Sequence, residues 1–455
     1  MNFFKNLKKF QLISDSGKVY EKNEIKELSK TLQKLSKGKK LVLFMGDNDE
    51  YSILFYIACL NLRDCIMPIS SNTSKKSLSR IIKNFNPEII FTKENIINKN
   101  YKKLLTFEIY NIFKRKNMIS KINKELALLL STSGSTGESK YVKLTYKNIY
   151  SNASSIKKYL NLDSSHTTIT TLPIHYSYGI SVINSHLLAD AKIYINKLSF
   201  FEKDFWHNLA KNKITNFSGV PFHFEILHRF NIEKLNLNSL KFCTQAGGKL
   251  NVEIIKSFVE KFSKLKKKFY VMYGQTEASP RISYADENDL MKYPETVGKP
   301  IPGGKIIIKN PKENFGEICY KGKNVFNGYA QNRNELKNLE KINTLRTGDI
   351  GRKKQNLLFI TGRLSRFQKI YGVRINLDIL ERYLNNLRIK CFCVFKSNKI
   401  FIFTTKLVEN ENNIKVLIKN DFEININTIK FIKINRFPYN LNNKIDYKIL
   451  NEKIK

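Results

Sequence analysis

The chain lacks any pair of cysteines at metal-site spacing. Its six cysteines are Cys59, Cys65, Cys243, Cys319, Cys391 and Cys393, and none forms a Cys-x-x-Cys step, so a zinc ribbon or a redox dithiol does not organise the fold. Cys391 and Cys393 stand two apart in a strand-like run, where they share a face and pack as small apolar groups; buried thiols in a reducing compartment are expected. No uninterrupted apolar run approaches the length of a bilayer span. Residues 1–11 mix aromatics with lysine and contain no apolar signal-peptide core. A cytoplasmic protein with no integral membrane segment is therefore expected. There is no internal repeat. Acidic residues are scarce: 39 Asp and Glu oppose 79 Lys and Arg, a net charge of +40. Such a balance fits nucleic acid, an anionic membrane or an acidic partner. The lysines are dispersed, however, with no basic tail and no aromatic RNA-reading motif, so no nucleic-acid partner is expected.

At 455 residues, 42% of them apolar, the chain is long enough for more than one core. Residues 41–45 read as a buried strand, 50–62 as a helix and 87–91 as the next strand. The same rhythm returns over 167–173, a helix from 181, 191–195 and 216–221. Strand–helix–strand alternation of this kind predicts α/β layers. Short strands and glycines over 303–329 suggest a small β subdomain. Residues 391–395 and 400–405 give the tail strands of its own. The fold class expected is α/β: a large N-terminal α/β domain with a small β subdomain, plus a smaller mobile C-terminal α+β domain. The boundaries expected are 1–362, a hinge at 363–365, and 366–455.

Chemistry concentrates in Ser131, Thr132, Ser133, Gly134, Ser135, Thr136, Gly137, Glu138, Ser139 and Lys140, between apolar runs at 126–130 and 141–145. Glycines let backbone N–H groups converge on an anion, hydroxyls add donors, and Lys140 adds a point charge. No Gly-Lys-[Ser/Thr] closes the loop and no helix obviously follows it, so it is not a Walker A element.

The loop and its flanks resemble the signature of the adenylate-forming (AMP-binding) superfamily, which includes acyl-CoA synthetases and adenylation domains. Further motifs follow in family order. Tyr273, Gly274, Gln275, Thr276 and Glu277 look like its Tyr-Gly-x-Thr-Glu element. Thr347, Gly348 and Asp349 match its Thr-Gly-Asp. Gly362-Arg363 and the stretch from Lys369 through Gly372 resemble its hinge and the strand after it. The segment from Pro438 to Leu450 resembles the one carrying its catalytic lysine, here Lys444. The resemblance implies ATP-dependent activation of a carboxylic acid to an acyl-adenylate with release of pyrophosphate, then transfer to a thiol.

It also implies roles. The loop residues Thr132, Ser133, Gly134, Ser135, Thr136, Gly137 and Lys140 would hold the β- and γ-phosphates. Glu277 would ligate Mg²⁺ through a hard oxygen, with Thr276 near the α-phosphate. Tyr273, Gly274 and Gln275 would lie beside adenine, and Gly247 and Gly248 would let the ligand approach backbone closely. Asp349, acceptor-only when ionised, would take the ribose hydroxyls, with Arg363 nearby. Lys444 would bridge carboxylate and α-phosphate; Asn443 replaces the usual glycine before it, and asparagine also tolerates positive φ. Ser365 takes the hinge position and Arg366 stands where a second Asp is common. Lys369 and Gly372 would line the thiol channel.

The acyl pocket would include His175, Tyr176, Ser177 and Gly179, in a segment resembling Leu-Pro-x-x-His-x-x-Gly. Amino-acid-activating relatives carry an aspartate just after the gate, and the nearest position here is Ser177. A buried ammonium with no carboxylate is expensive, so a fatty, aryl or other non-amino acid is expected. The thiol would be CoA or the phosphopantetheine of an acidic acyl-carrier protein supplied in trans. Two alternatives are an amino-acid-activating ligase loading a carrier protein and a non-catalytic nucleotide-binding descendant.

Overall fold

The computed structural model describes residues 11–35, 38–117, 119, 121–131, 140–230, 235–312, 315–371, 373–439 and 445–454. The chain divides into two compact units, residues 1–306 with 320–345, and residues 307–319 with 346–455.

The first unit is built on two large sheets. In the eight-stranded one, Leu41–Phe44 runs parallel to both Cys65–Pro68 and Ile89–Thr92. Every residue of these three strands is buried, the continuous apolar pattern of a parallel sheet covered on both faces. Helix Glu50–Asn61 connects the first two and is buried continuously from Ser52 to Leu60. It is apolar on every side, as an interior helix must be. Asp49 starts it by accepting from the Ser52 N–H at 2.8 Å, which satisfies one donor that the helix leaves open.

The same sheet ends in an antiparallel pair, Leu126–Ser131 with Tyr141–Thr145, in which Ser131 faces Tyr141. The two strands flanking the Gly/Ser loop are thus ladder neighbours. The loop runs into a strand, and helix Tyr146–Tyr159 begins only after it. A reciprocal cap sets that start: Thr145 Oγ1 accepts from Asn148 N at 3.2 Å, and Asn148 Oδ1 accepts from Thr145 N at 2.7 Å.

The nine-stranded sheet carries the rest. Thr167–Ile169, Asn216–Gly219, Phe242–Gln245 and Lys268–Gly274 pair in parallel, and Arg281–Ala285 folds back antiparallel on the last. The strand expected over 167–173 stops at Ile169, and the helix expected from 181 begins at Ser177. Pro173 has no N–H for a ladder, and its carbonyl accepts from Tyr176 N at 3.0 Å. That turn starts the helix four residues early and sets His175 and Tyr176 at its entrance.

Beneath this sheet Phe200, Phe205, Phe217, Phe224, Phe258, Phe262 and Phe269 form one buried cluster. The single tryptophan, Trp206, meets Phe205 edge-on at 4.9 Å. The His223 ring stacks on Phe200 at 4.4 Å.

One buried side chain fixes the turn between the last two strands. Asn324 donates from Nδ2 to the carbonyls of Ala278 at 2.6 Å and Arg281 at 2.8 Å. Its Oδ1 accepts from the Tyr320 hydroxyl at 2.9 Å, and its backbone carbonyl accepts from Ser279 Oγ at 2.7 Å.

The second unit holds most of a four-stranded sheet in the order Lys305–Lys312, Phe315–Lys321, Leu345–Lys354, Leu357–Arg363. It also holds a three-stranded sheet, in which Lys399–Thr404 pairs antiparallel with Cys391–Lys396 and parallel with Ile429–Lys433. Leu380 and Leu384 of helix Leu377–Asn386 and Ile418 of helix Glu411–Phe422 share its core. Compactness groups most of the small β sheet with the tail, and residues 363–365 lie inside the second unit. The fold is the α/β class with an α+β tail that the alternation predicts. All six cysteines are free and buried.

Burial pushes the imidazoles of His186 and His223 down to about 4. The folded chain keeps both neutral where the unfolded chain protonates them, below about 6.5. Their contribution to stability is complete above that value and is lost as pH falls toward 4, about 3 kcal/mol for each. Urea melts followed by Trp206 fluorescence should show His223→Gln gaining on wild type by about that amount between pH 6.5 and 4. A wild-type-to-variant difference that is flat across the window would refute the assignment. Asn324→Ala removes the short donor to two carbonyls, which Asn152 Nδ2 reaches only at 3.3 and 3.5 Å, and leaves the Tyr320 hydroxyl without its acceptor, at a cost of order 3 kcal/mol. Hydrogen exchange should speed up over residues 276–281, and unchanged protection there would show that Asn324 does not hold the turn.

Candidate active site

The site is assembled at the carboxyl ends of the parallel strands, where open α/β sheets place ligands. Gly247 follows strand Phe242–Gln245 with φ +88°, and a Cβ there would stand 2.8 Å from the Tyr176 hydroxyl. Glycine is required twice over, by backbone conformation and by the tyrosine above it. At Gly248 a Cβ would meet the Pro221 ring at 3.1 Å, and Gln245 Nε2 donates to the Gly248 carbonyl at 2.9 Å. On the next strand, Tyr273 is buried. A Cβ at Gly274 would collide with the Pro280 carbonyl, the group that accepts from Gln275 N at 2.9 Å.

Thr276 and Ser177 come together: Thr276 Oγ1 donates to Ser177 Oγ at 3.4 Å. Ser177 opens helix Ser177–Leu188, and Gly179 in its first turn lies flush against the carbonyls of Leu172 and Pro173. The gate is therefore a helix entrance. Burial raises the Tyr176 hydroxyl to about 12 and holds the His175 imidazole below its ordinary value, with its Nε2 buried and unpartnered among the described residues. A neutral histidine suits a packed gate.

Glu277 lies in the short helical turn Thr276–Ala278. Its Oε1 accepts from the Tyr329 hydroxyl at 2.9 Å, and its carbonyl accepts from Phe326 N at 2.9 Å. Burial and this carboxylate push the Tyr329 hydroxyl up, so Tyr329 stays a donor and aims Glu277. Among the described residues no group of three or more His, Cys, Asp and Glu converges to hold a metal. A lone carboxylate fits Mg²⁺ bound jointly with phosphate oxygens, and does not suit a protein-only cage.

Of the remaining positions in the first unit, Thr132, Ser133, Gly134, Ser135, Thr136 and Gly137 lie outside the described residues. Lys140 is exposed immediately before strand Tyr141–Thr145.

In the second unit Asp349 and Arg363 are direct partners on adjacent antiparallel strands. Arg363 Nε donates to Asp349 Oδ1 at 2.8 Å. Gly348 turns at φ +72°, and Asp349 N donates to Thr347 Oγ1 at 3.1 Å. The carboxylate is buried while the guanidinium is mostly exposed. Ser365 sits exposed in the turn Leu364–Arg366. Lys369 is exposed on strand Phe367–Ile370, opposite Arg374. Gly372 and Lys444 lie outside the described residues.

Several residues at the site escaped the sequence reading. Asn48 clasps the gate from the neighbouring loop: its Nδ2 donates to Leu172 O at 3.0 Å and its Oδ1 accepts from Ile174 N at 3.0 Å. Asn324 and Tyr329 position Glu277 and the turn after it. Arg281, 2% exposed, stands over the Tyr178 ring at 4.6 Å. Arg366, noted in the sequence as standing where an Asp is common, is tied firmly into the second unit. It donates from Nε to Asp378 at 2.7 Å, from one terminal nitrogen to the Cys393 carbonyl at 2.9 Å and from the other to Glu381, and it covers the Tyr447 ring at 4.2 Å.

Residues 22–330 match the AMP-binding enzyme family. Over 452 residues the chain is 25% identical to D-alanine–D-alanyl carrier protein ligase of Staphylococcus epidermidis, covering 94% of this chain and 92% of that protein. Over 213 residues it is 30% identical to 2-succinylbenzoate–CoA ligase of Staphylococcus aureus, a match spanning 45% of this chain and 40% of that protein. In three dimensions it resembles o-succinylbenzoate coenzyme A synthetase from Bacillus subtilis, in complex with ATP and magnesium ion. That likeness has a TM-score of 0.72 at 18% identity and covers 96% of this chain and 95% of that one. The strand-end glycines, the Thr276–Glu277 turn and the matched span agree: the chain belongs to the AMP-binding enzyme family, as an ATP-dependent, AMP-forming acid–thiol ligase.

Proposed function

We propose that this ligase activates a non-amino carboxylic acid, with Mg²⁺ held by Glu277 and the nucleotide phosphates, and passes the acyl group to CoA or to the phosphopantetheine of a carrier protein. The observation that carries the reading is the meeting of Thr276, Ser177, Gly247 and Tyr176 at the strand ends, with Glu277 aimed by Tyr329. In this reading adenine lies along Gly247, Gly248 and Tyr273 to Gln275, where glycines leave room for a flat ring against backbone. Thr276 faces the α-phosphate. Residues 132–137 and Lys140 hold the outer phosphates, Asp349 takes the ribose hydroxyls and Arg363 steadies it. Mg²⁺ would neutralise charge on the departing pyrophosphate. Lys444 supplies a cation between carboxylate and α-phosphate as the acyl–phosphate bond forms, which is electrostatic stabilisation of the transition state. Ser365 serves as hinge, and Lys369 and Gly372 line the path of the thiol.

A non-amino acid is favoured because residues 167–188 contain no Asp or Glu, and the buried cation Arg281 adjoins the gate tyrosines. An ammonium group there would meet its repulsion, and the carboxylate facing the gate, Asp47 beside His175, is already paired with Lys93 at 2.8 Å. A second reading, activation of D-alanine or another amino acid for a carrier protein, rests on the relative matched over 94% of the chain. The basic surface suits an acidic carrier equally in both.

ATP–pyrophosphate exchange across fatty, aryl, dicarboxylic and amino acids separates the two. Exchange with non-amino acids alone supports the first reading, and exchange with D-alanine replaces it by the second. Lys444→Ala should abolish exchange yet spare thioester formation from a supplied acyl-adenylate. Equal loss of both half-reactions would remove Lys444 from its role.

A further inference from the structure

The amino ends of the parallel strands in the nine-stranded sheet carry a row of lysines. One backbone ladder runs along that edge. Lys192 N donates to His166 O at 2.9 Å, Thr215 N to Thr167 O at 2.9 Å, Lys241 N to Thr215 O at 2.7 Å and Lys268 N to Lys241 O at 2.9 Å. Lys192, Lys241 and Lys268 therefore sit along one line, about 19 Å across four strand spacings. Lys213 and Lys266 stand two residues before Thr215 and Lys268, in the turns that feed the same edge. All five are exposed. None of the five makes an ion pair among the described residues, whereas Lys264 beside them has Glu260 at 2.8 Å. The acids of this edge are engaged elsewhere: Asp163 by Ser165 and His166, and Asp286 and Asp289, past Lys268, by Lys299. The other two, Asp190 before Lys192 and Glu287 after Asp286, are fewer than the lysines.

The row is not placed to hold the nucleotide or the acid. Gly219, Gly247 and Gly274 lie at the opposite, carboxyl ends, and strand Lys268–Gly274 is about 20 Å long. Helix C-termini attract cations, and helices Lys203–Lys211 and Val252–Lys264 end at this edge. Lys192, Lys241 and Lys268 begin or enter strands, outside those last turns.

Apolar groups accompany the lysines. Leu265, between Lys264 and Lys266, is 39% exposed. Strand Gln11–Ile13 enters the sheet at the same edge, with Gln11 opposite Lys192. In the sequence Gln11 is preceded by Phe3, Phe4, Leu7 and Phe10 interspersed with Lys5, Lys8 and Lys9, which lie outside the described residues. Lysines around apolar side chains suit a headgroup layer, where the charges meet lipid phosphates and the apolar groups dip between them. Nucleic-acid grooves are read by arginine forks, and the row contains no arginine.

We infer that the amino edge of the nine-stranded sheet is a peripheral docking surface for an anionic lipid bilayer, with the carboxyl ends of the strands, and the site on them, turned away from it. The inference does not depend on which acid or thiol the enzyme uses. Each lysine held near an anionic surface is worth about fivefold in affinity, so five neighbours outweigh the dispersed charge of the rest of the chain only if they meet the surface together.

The test is flotation of the full chain with vesicles of phosphatidylcholine alone or with about one-third phosphatidylglycerol. Wild type should float with the anionic vesicles only and should be released as salt rises from about 0.05 to about 0.5 M. Changing Lys192, Lys213, Lys241, Lys266 and Lys268 to Gln together should weaken binding by about 100-fold or more. A control with the same charge removed elsewhere, Lys75, Lys76, Lys83, Lys102 and Lys103 to Gln, should bind as wild type does. Melting temperature and ATP–pyrophosphate exchange should be unchanged in both variants. Where the fivefold variant fails to fold, the pair Lys192→Gln and Lys268→Gln should still weaken binding about 20-fold at the wild-type melting temperature. Absence of wild-type binding to anionic vesicles, or an equal loss in the control, would overturn the inference and leave only diffuse net charge. So would an unchanged affinity in the folded pair. Duplex DNA bound as tightly as the vesicles, and released by the same five substitutions, would assign the row to nucleic acid instead.

Discussion

The chain reverses direction between Gly274 and Arg281, and the site depends on how tightly it does so. Gly274 lies against the Pro280 carbonyl with no space for a side chain. That carbonyl accepts from Gln275 N, and Asn324 ties down the carbonyls of Ala278 and Arg281. Glu277 emerges toward Tyr329, and Arg281 turns inward toward Tyr178. The Glu277 carboxylate and the Arg281 cation thus come from one turn, four positions apart. Loosening that turn would move both charges at once.

Electrostatics explain the division of labour among the remaining groups. The chain carries +40, yet residues 167–188 contain no acid, and burial keeps His175 and His186 below their ordinary values and neutral. Positive potential without internal anions is a poor way to stabilise a fold and a good way to receive anionic substrates. Where carboxylates do appear in the interior they are matched: Asp64 to Lys40, Asp349 to Arg363, Glu381 to Arg366. Two buried cations have no carboxylate among the described residues: Lys267, which donates to the carbonyls of Leu237 and Leu240, and Arg281, which lies over the Tyr178 ring.

Much of this was legible in the sequence because it rests on local pattern. The buried strands at 41–44, 126–131 and 141–145 are continuous apolar runs, and Gly247, Gly274 and Glu277 sit in spaced motifs. The early start of helix Ser177–Leu188 was missed because a proline four residues upstream reads as a strand end, while its carbonyl is what nucleates the turn. Asn48 and Asn324 left no signal: in a chain dense with asparagine, one that clasps a distant backbone looks like any loop residue until sheet topology brings the loop across. Arg281 belongs to none of the motifs read from the sequence; it is buried beside residues of helix Ser177–Leu188 and of strands Asn216–Gly219 and Phe242–Gln245, which only the fold brings together.

Arg366 shows how a departure from family pattern can be absorbed. An acid is usual near that position, and an arginine there needs counter-ions; Asp378 and Glu381 on helix Leu377–Asn386 supply them. Burial works against the charge, but Glu381, Tyr447 and Asp378 hold the guanidinium above its ordinary value. A buried charge set with this many hydrogen bonds is strongly resistant to losing one member. Arg366 therefore belongs rigidly to the second unit, as does Tyr447, which opens the helix just after the segment carrying Lys444. Arg363 N is also held by Asp378 at 3.1 Å, a hydrogen bond that spans Leu364 and the exposed Ser365 of the proposed hinge. A rotation at the proposed hinge would have to break that bond while Arg366, Asp378 and Tyr447 moved together, so a small polar residue would turn against a fixed ionic anchor.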